Sequence, residues 1–263
     1  MLRDETVTRG DCPPAAELAP GVRLRVFVSG ELGARGLSTG TATVEPGAKL
    51  PYHVHPCSEA VTVVSGRAEV EIEGRRYHLA PHDAMHVPAG VAHETRNAAA
   101  DAPAVLLWSF ASDRPTRELV QNRFRVTDCA ETGPDCPEHL TRFAKASAYE
   151  LAPRAFFRDL FAGRFGARGI CGGYGVLEPG AELPCHVHAF DESMTIVTGR
   201  AVCQIAGKEY ALSNCDTAWI PSGRPHRIFN RSEQPMAMIW VYAGDEPDQT
   251  LVDAGYCDGT TPL

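Results

Sequence analysis

The sequence predicts an all-β protein made of two tandem β-barrels or sandwiches related by internal duplication. Three observations predict it. A shift of 133 residues superimposes Glu17–Asn97 on Glu150–Asn230 without a gap, with about 35 of 81 positions identical, far above the roughly 6% expected from average composition. Both copies consist of short β-branched segments stopped by Gly or Pro. Both also place two histidines and a glutamate inside a run that otherwise reads as strand: PYHVHPCSEAVTVVSG at 51–66 and PCHVHAFDESMTIVTG at 184–199.

The N-terminal repeat is assigned to 17–112. Its segments TATVEPG, AVTVVSG, AEVEIEGRRYHLA and HVPAG read as strands and turns, with Gly74 at a hairpin where a positive φ is needed. Residues 113–147 have a different texture, with Cys129, Gly133, Pro134 and Pro137 among polar residues. They read as an inter-domain linker with a short helix near Leu140–Ser147. The C-terminal repeat, 148–245, answers with GYGVLEPG, SMTIVTG, AVCQIAGKEYALS and WIPSG, and Gly207 matches Gly74. Residues 246–263 read as a tail. Many short, evenly spaced strands favour a sandwich or barrel in each half.

A net charge of -8 argues against a nucleic-acid role resting on a basic face. No apolar run approaches the roughly 18 residues that span a bilayer, and the N-terminus lacks a signal-peptide core. The expected setting is therefore cytoplasmic, with no nucleic-acid or membrane partner. Nine cysteines, an odd count without a CxxC pair, argue against a disulfide framework. They are expected to be reduced, several of them buried as small hydrophobes.

His53 and His55, two residues apart, share one face of a strand. Glu59 follows a turn at Pro56–Ser58, and His93 comes after the turn at 88–90. Three imidazoles and one carboxylate make a mixed N/O site for a divalent transition metal: Fe, Mn, Ni, Co, Cu or Zn. The second half offers His186, His188, Glu192 and His226 at identical spacing. Burying so much polar surface twice, without a cation, would be costly.

These residues resemble the cupin pattern G-x5-H-x-H-x3-E-x6-G, present as Gly47, His53, His55, Glu59 and Gly66, and again as Gly180, His186, His188, Glu192 and Gly199. The second cupin motif appears as Pro88, Gly90, His93 and Asn97, and as Pro221, Gly223, His226 and Asn230. Its leading glycine is replaced by His82 and Cys215, a departure that bears on local backbone shape. The resemblance covers about four-fifths of the chain. It implies a bicupin: two tandem jelly-roll barrels, with those eight residues as ligands of one divalent metal per barrel.

Outside the ligands the halves differ, with Tyr52, Cys57, Ser58 and His86 answered by Cys185, Phe190, Asp191 and Trp219. Phe190, Met194 and Trp219 point to an organic substrate in the C-terminal half. His82 and His86 are expected in hairpin or surface positions, with acid–base groups in the first pocket as the alternative. Cys185 is expected to face away from the metal as a buried thiol, and Tyr77 and Tyr210 are expected to pack in the cores. Arg67 and Arg200, just after matched glycines, are expected to form fold-level salt bridges, with anion binding at a pocket mouth as the alternative. The leading functional expectation is a metal-dependent dioxygenase or related oxidoreductase acting on a small oxygenated molecule. The alternatives are a non-redox cyclase, isomerase or hydrolase, and a non-catalytic ligand-sensing bicupin. No catalytic residue beyond the ligands is singled out, and a monomer or homodimer is expected.

Overall fold

The computed structural model describes residues 3–262. Each repeat closes into a barrel of two facing sheets. The larger N-terminal sheet has seven strands in the order His139–Thr141, Ala84–Val87, Glu59–Ser65, Ala104–Phe110, Ser38–Val44, Val22–Val28, Ala16–Ala19. The larger C-terminal sheet repeats this order with Thr6–Thr8, Thr217–Ile220, Glu192–Thr198, Met236–Tyr242, Cys171–Leu177, Ala155–Phe161, Tyr149–Ala152. The smaller sheets have six and five strands and carry the remaining hairpins. At the hairpin tips Glu73–Gly74 and Ala206–Gly207 have φ of 45°, 84°, 46° and 86°, the doubly positive pattern that matches strand twist in a two-residue turn.

Alternation along the strands sorts the side chains. Val61, Val63, Met85 and Leu106 fill the N-terminal barrel, as Met194, Ile196, Ala218 and Met238 fill the other. The opposite faces of the same strands are also covered. Ala60, Ala84 and Leu107 from one barrel meet Leu160, Phe161, Ile239 and Val241 from the other. The two seven-stranded sheets are thus apolar on both faces, which is why AVTVV reads as a continuous apolar run. Thr39 Oγ1 and Ser193 Oγ share a buried hydrogen bond of 2.9 Å across this seam.

The barrels exchange edge strands. Thr6–Thr8 pairs with Thr217–Ile220 of the C-terminal barrel, whereas His139–Thr141 pairs with Ala84–Val87 of the N-terminal barrel. The two arms stand 133 residues apart and carry the same fasteners. Glu138 accepts from Arg75 Nε at 2.6 Å and Tyr77 OH at 2.7 Å. Glu5 accepts from Tyr210 OH at 2.7 Å and Arg224 Nε at 2.9 Å. Arg142 pairs with Asp83 and Arg9 with Asp216, both at 2.8 Å. Burial pushes the Glu138 carboxyl up, but Arg75 and Tyr77 more than offset this and hold it below the usual carboxylate range. Tyr77 and Tyr210 therefore serve the cores as donors to a carboxylate on the arm that leads into the opposite repeat.

Segment 113–147 is woven into the N-terminal barrel, pairing through Glu118–Leu119, Thr127–Asp128 and His139–Thr141. The helix expected near Leu140–Ser147 does not form. The backbone there is committed to the edge ladder with Ala84–Val87, and Arg142–Ala146 makes only a turn. His82 and Cys215, standing where the motif has glycine, keep the glycine-like backbone with φ of 71° and 65°. His82 packs edge-on against Phe143 and tilted against Tyr174. His86 is buried in the seam-facing layer, beside the cross-strand partner His139, with both ring nitrogens unpaired. His82 thus sits in the turn that precedes Ala84–Val87, half-buried, in keeping with the expected setting. His86 instead lies buried within the strand and not in the surface or hairpin setting expected for it.

Glu138→Ala strands a half-buried guanidinium and a buried phenol, so chemical denaturation should show a loss of about 2 kcal/mol, against about 1 kcal/mol for Tyr77→Phe. Equal losses would mean that the Glu138–Arg75 pair contributes nothing. Burial, reinforced by His139, lowers the His86 pKa from 6.5 to about 4. The unfolded chain therefore binds the proton first as pH falls, and stability is lost between about 6.5 and 4, by up to about 3 kcal/mol. His86→Met should flatten that part of the stability profile; an unchanged slope would show that other groups carry it.

Candidate metal centres

Short strands His53–Val54 and His186–Val187 line the barrel mouths, and each pairs its first residue with the later histidine: His53 opposite His93, His186 opposite His226. Glu59 and Glu192 open the long strands beside them. In the N-terminal barrel the donor atoms of His53, His55, Glu59 and His93 all lie within 4.8 Å of one another, and all four residues are buried. In the C-terminal barrel His186, His188 and His226 form the corresponding group. Glu192 is outside that spacing but leans on two of the three, with Oε2 2.8 Å from His226 Nε2 and 3.3 Å from His188 Nε2.

All six imidazoles are oriented the same way. His53, His93, His186 and His226 place Nδ1 against the carbonyl two residues earlier, at 2.6, 2.9, 2.8 and 2.9 Å. His55 uses the Thr116 carbonyl at 2.6 Å and His188 the Asp248 carbonyl at 2.5 Å. A carbonyl only accepts, so each Nδ1 carries the proton and each Nε2 faces the centre. That is the outer-shell arrangement of metal-ligating histidines. In the C-terminal centre His188 Nε2, Glu192 Oε2 and His226 Nε2 are buried without hydrogen-bond partners, so these residues fit a cation there. In the N-terminal centre Glu59 Oε2 and His93 Nε2 are 2.7 Å apart, holding between them a proton that a cation would displace. Each barrel therefore provides for a divalent transition metal.

The charges agree with this. Burial, then the neighbouring imidazoles, lowers His53 to about 4 and His186 to about 3, keeping both rings neutral and able to donate a lone pair. Burial pushes Glu59 up, but the His93 hydrogen bond and the three imidazoles outweigh it and hold Glu59 at about 2. Glu192 is held low by the same opposition. Both carboxylates stay ionised at neutral pH.

Sequence reasoning misses Thr116 and Asp248, because their contribution is a backbone oxygen. The signal is nonetheless present: DRPTRELV at 113–120 and DEPDQTLV at 245–252 repeat D-x-P-x3-L-V. Each stretch adds a short strand beside the first histidine of its centre, Leu119 opposite His53 and Leu251 opposite His186.

A cavity of about 280 Å³ opens onto the N-terminal centre and one of about 340 Å³ onto the C-terminal centre. The first is walled by Leu106, Trp108 and Phe110, the second by Met238, Trp240 and Tyr242. Met194 lines the C-terminal cavity and Phe190 stacks near His188, at 5.9 Å between ring centroids. Trp219 points out of the barrel and packs with Phe27, Val28 and Ala34, so it is no part of the site. Arg67 and Arg200 are exposed and form no ion pair among the described residues. Cys185 does face away from the centre, but as a disulfide with Cys257, which corrects the expectation of reduced cysteines for this pair. The bond ties the terminal helix Ala254–Asp258 to the strand that carries His186. The other seven cysteines are free.

The model of the cupin domain matches residues 40–110 and 173–242. The chain is 30% identical over 125 residues to protein SchB of Streptomyces halstedii, covering 47% of this chain and 88% of SchB. It is 36% identical over 67 residues to polyketide synthase CurC of Streptomyces cyaneus, a match spanning 25% of this chain and 44% of CurC, under half of that protein's length. Among solved structures, oxalate decarboxylase from Lactobacillus farciminis in a formate complex superimposes with a TM-score of 0.77 at 16% identity, over 94% of this chain and 88% of that one. Bacillus subtilis oxalate decarboxylase, described for its Mn(II) centres, gives 0.75 at 15% identity, over 94% and 79%. At that identity the likeness is one of fold. No described helix is long and apolar enough to cross a membrane.

Metal analysis of the purified full chain should find about two ions per chain, falling to about one in His188→Ala and in His55→Ala and to none in the double variant. An unchanged metal content in either single variant would remove that centre.

Proposed function

The chain belongs to the cupin family as a tandem pair, and from that premise we propose a metal-dependent bicupin enzyme acting on a small oxygenated organic molecule, with dioxygenation as its reaction. The proposed ligands are His53, His55, Glu59 and His93 in one barrel and His186, His188, Glu192 and His226 in the other. One observation carries the reading: six Nε2 atoms turned inward by six carbonyls at the floors of two organic-sized cavities. A bound ion of this kind supplies Lewis acidity toward a carbonyl or enolate and a binding site for O2. The protein's share is positioning and desolvation. Trp108 and Trp240 give each cavity a flat apolar wall, suited to an aromatic or conjugated substrate. Tyr242 stacks on His188 at 4.4 Å, where the N-terminal barrel has Phe110 at 4.6 Å from His55. Burial and then Glu192 push the Tyr242 phenol well above its ordinary range, so it meets substrate as a hydrogen-bond donor.

A second reading, non-redox cyclisation or isomerisation, is favoured by the likeness to CurC, whose name places it in polyketide synthesis. Poly-carbonyl chains and their aromatic products suit these walls under either reading.

Oxygen uptake by the metal-loaded protein, screened against polyphenols, flavonols and β-diketones, separates the two. Consumption of O2 with iron, nickel or copper bound is the expected result, falling at least 100-fold when the ligands of the active centre are replaced. Conversion of such a compound without O2 uptake would replace dioxygenation by the second reading.

A further inference from the structure

The two cavities are duplicates with opposite charge at their mouths. Around the C-terminal opening stand Asp159, Glu246 and Asp248, with Arg164 held between Asp159 and Glu246. The repeat places Val26, Arg114 and Thr116 where those three acids stand, and Arg117 where the C-terminal barrel has Gln249. Apart from the inner histidines and Glu59, Arg117 is the one charged side chain lining the N-terminal cavity among the described residues. It is exposed and has no ion-pair partner among the described residues. Its position is fixed, because the preceding carbonyl, Thr116, holds His55 and the following two residues pair with Val54 and His53.

A guanidinium at the rim of an apolar cavity, unpaired among the described residues, matches a planar anion in shape and charge. We propose that the N-terminal cavity selects an organic anion. Its flat apolar body lies against Trp108 and Phe110, and its carboxylate or comparable head pairs with Arg117 at the mouth. The acidic C-terminal mouth disfavours such a ligand, so the two barrels take different molecules. Arg117 is thus a specificity-determining residue. The assignment rests on the small-molecule reading above, but its test reads binding, not turnover, so a failure to consume O2 leaves it standing and its own failure leaves the reaction open.

The test titrates the metal-loaded full chain with 2-naphthoate and with 2-naphthamide, a neutral molecule of the same shape, by calorimetry and tryptophan quenching. The wild-type protein should prefer the acid by about 10-fold, with the preference shrinking as salt is raised. Arg117→Gln should bring acid and amide to within about 2-fold, and Arg117→Glu should favour the amide. Both should leave amide binding and the thermal midpoint unchanged, since the side chain is exposed. Three results would overturn the proposal: no saturable binding of either probe, equal affinities in the wild type, or an acid preference that survives in Arg117→Gln. The last would mean that the inner donors and their ion, not the rim, hold the carboxylate.

Discussion

An imidazole buried at the end of a barrel can turn either nitrogen inward, and everything at these centres depends on which one it turns. A backbone carbonyl against each Nδ1 removes the choice. Four of the six carbonyls lie two residues before the histidine, just ahead of its strand, so the stretch that supplies the ring also orients it. The other two come from Thr116 and Asp248, beyond the repeated strands. The barrel wall and the segment leaving it must therefore close together before either centre is complete.

The same reciprocity holds between the barrels. Each contributes an arm to the other's edge, and each arm carries a buried glutamate that only the host barrel can satisfy. An edge strand exposed on either barrel would invite pairing with another chain; here the second repeat supplies the cover. With the apolar seam beneath the arms, the two halves are bound by side-chain packing, strand pairing and buried charge at once.

Much of this was legible in the sequence. The eight histidines and glutamates stood out because few residue types offer such donor atoms and the period of a strand dictates their spacing. The duplication stood out because identical turns recur at one interval, Gly74 with Gly207 among them. The exchanged arms did not, because three residues such as Thr6–Thr8 carry no period of their own and their partners lie some 210 residues away. The repeated E-x-x-T-R of residues 5–9 and 138–142 is visible once its role is known. His86 and Trp219 illustrate a different limit. Alternation places them outside the barrel, yet nothing in one repeat reveals that the outer face is itself buried. The Cys185–Cys257 bond joins positions 72 residues apart, and a cysteine count carries no pairing information.

The crossed arms also impose an order on synthesis at the ribosome. The first barrel emerges without its own edge and must wait for residues 138–142, while the leading arm, already made, waits far longer for a host that has not been translated. A chain interrupted between the repeats would thus release one barrel with a bare edge and a spare arm, primed to clasp a second truncated copy.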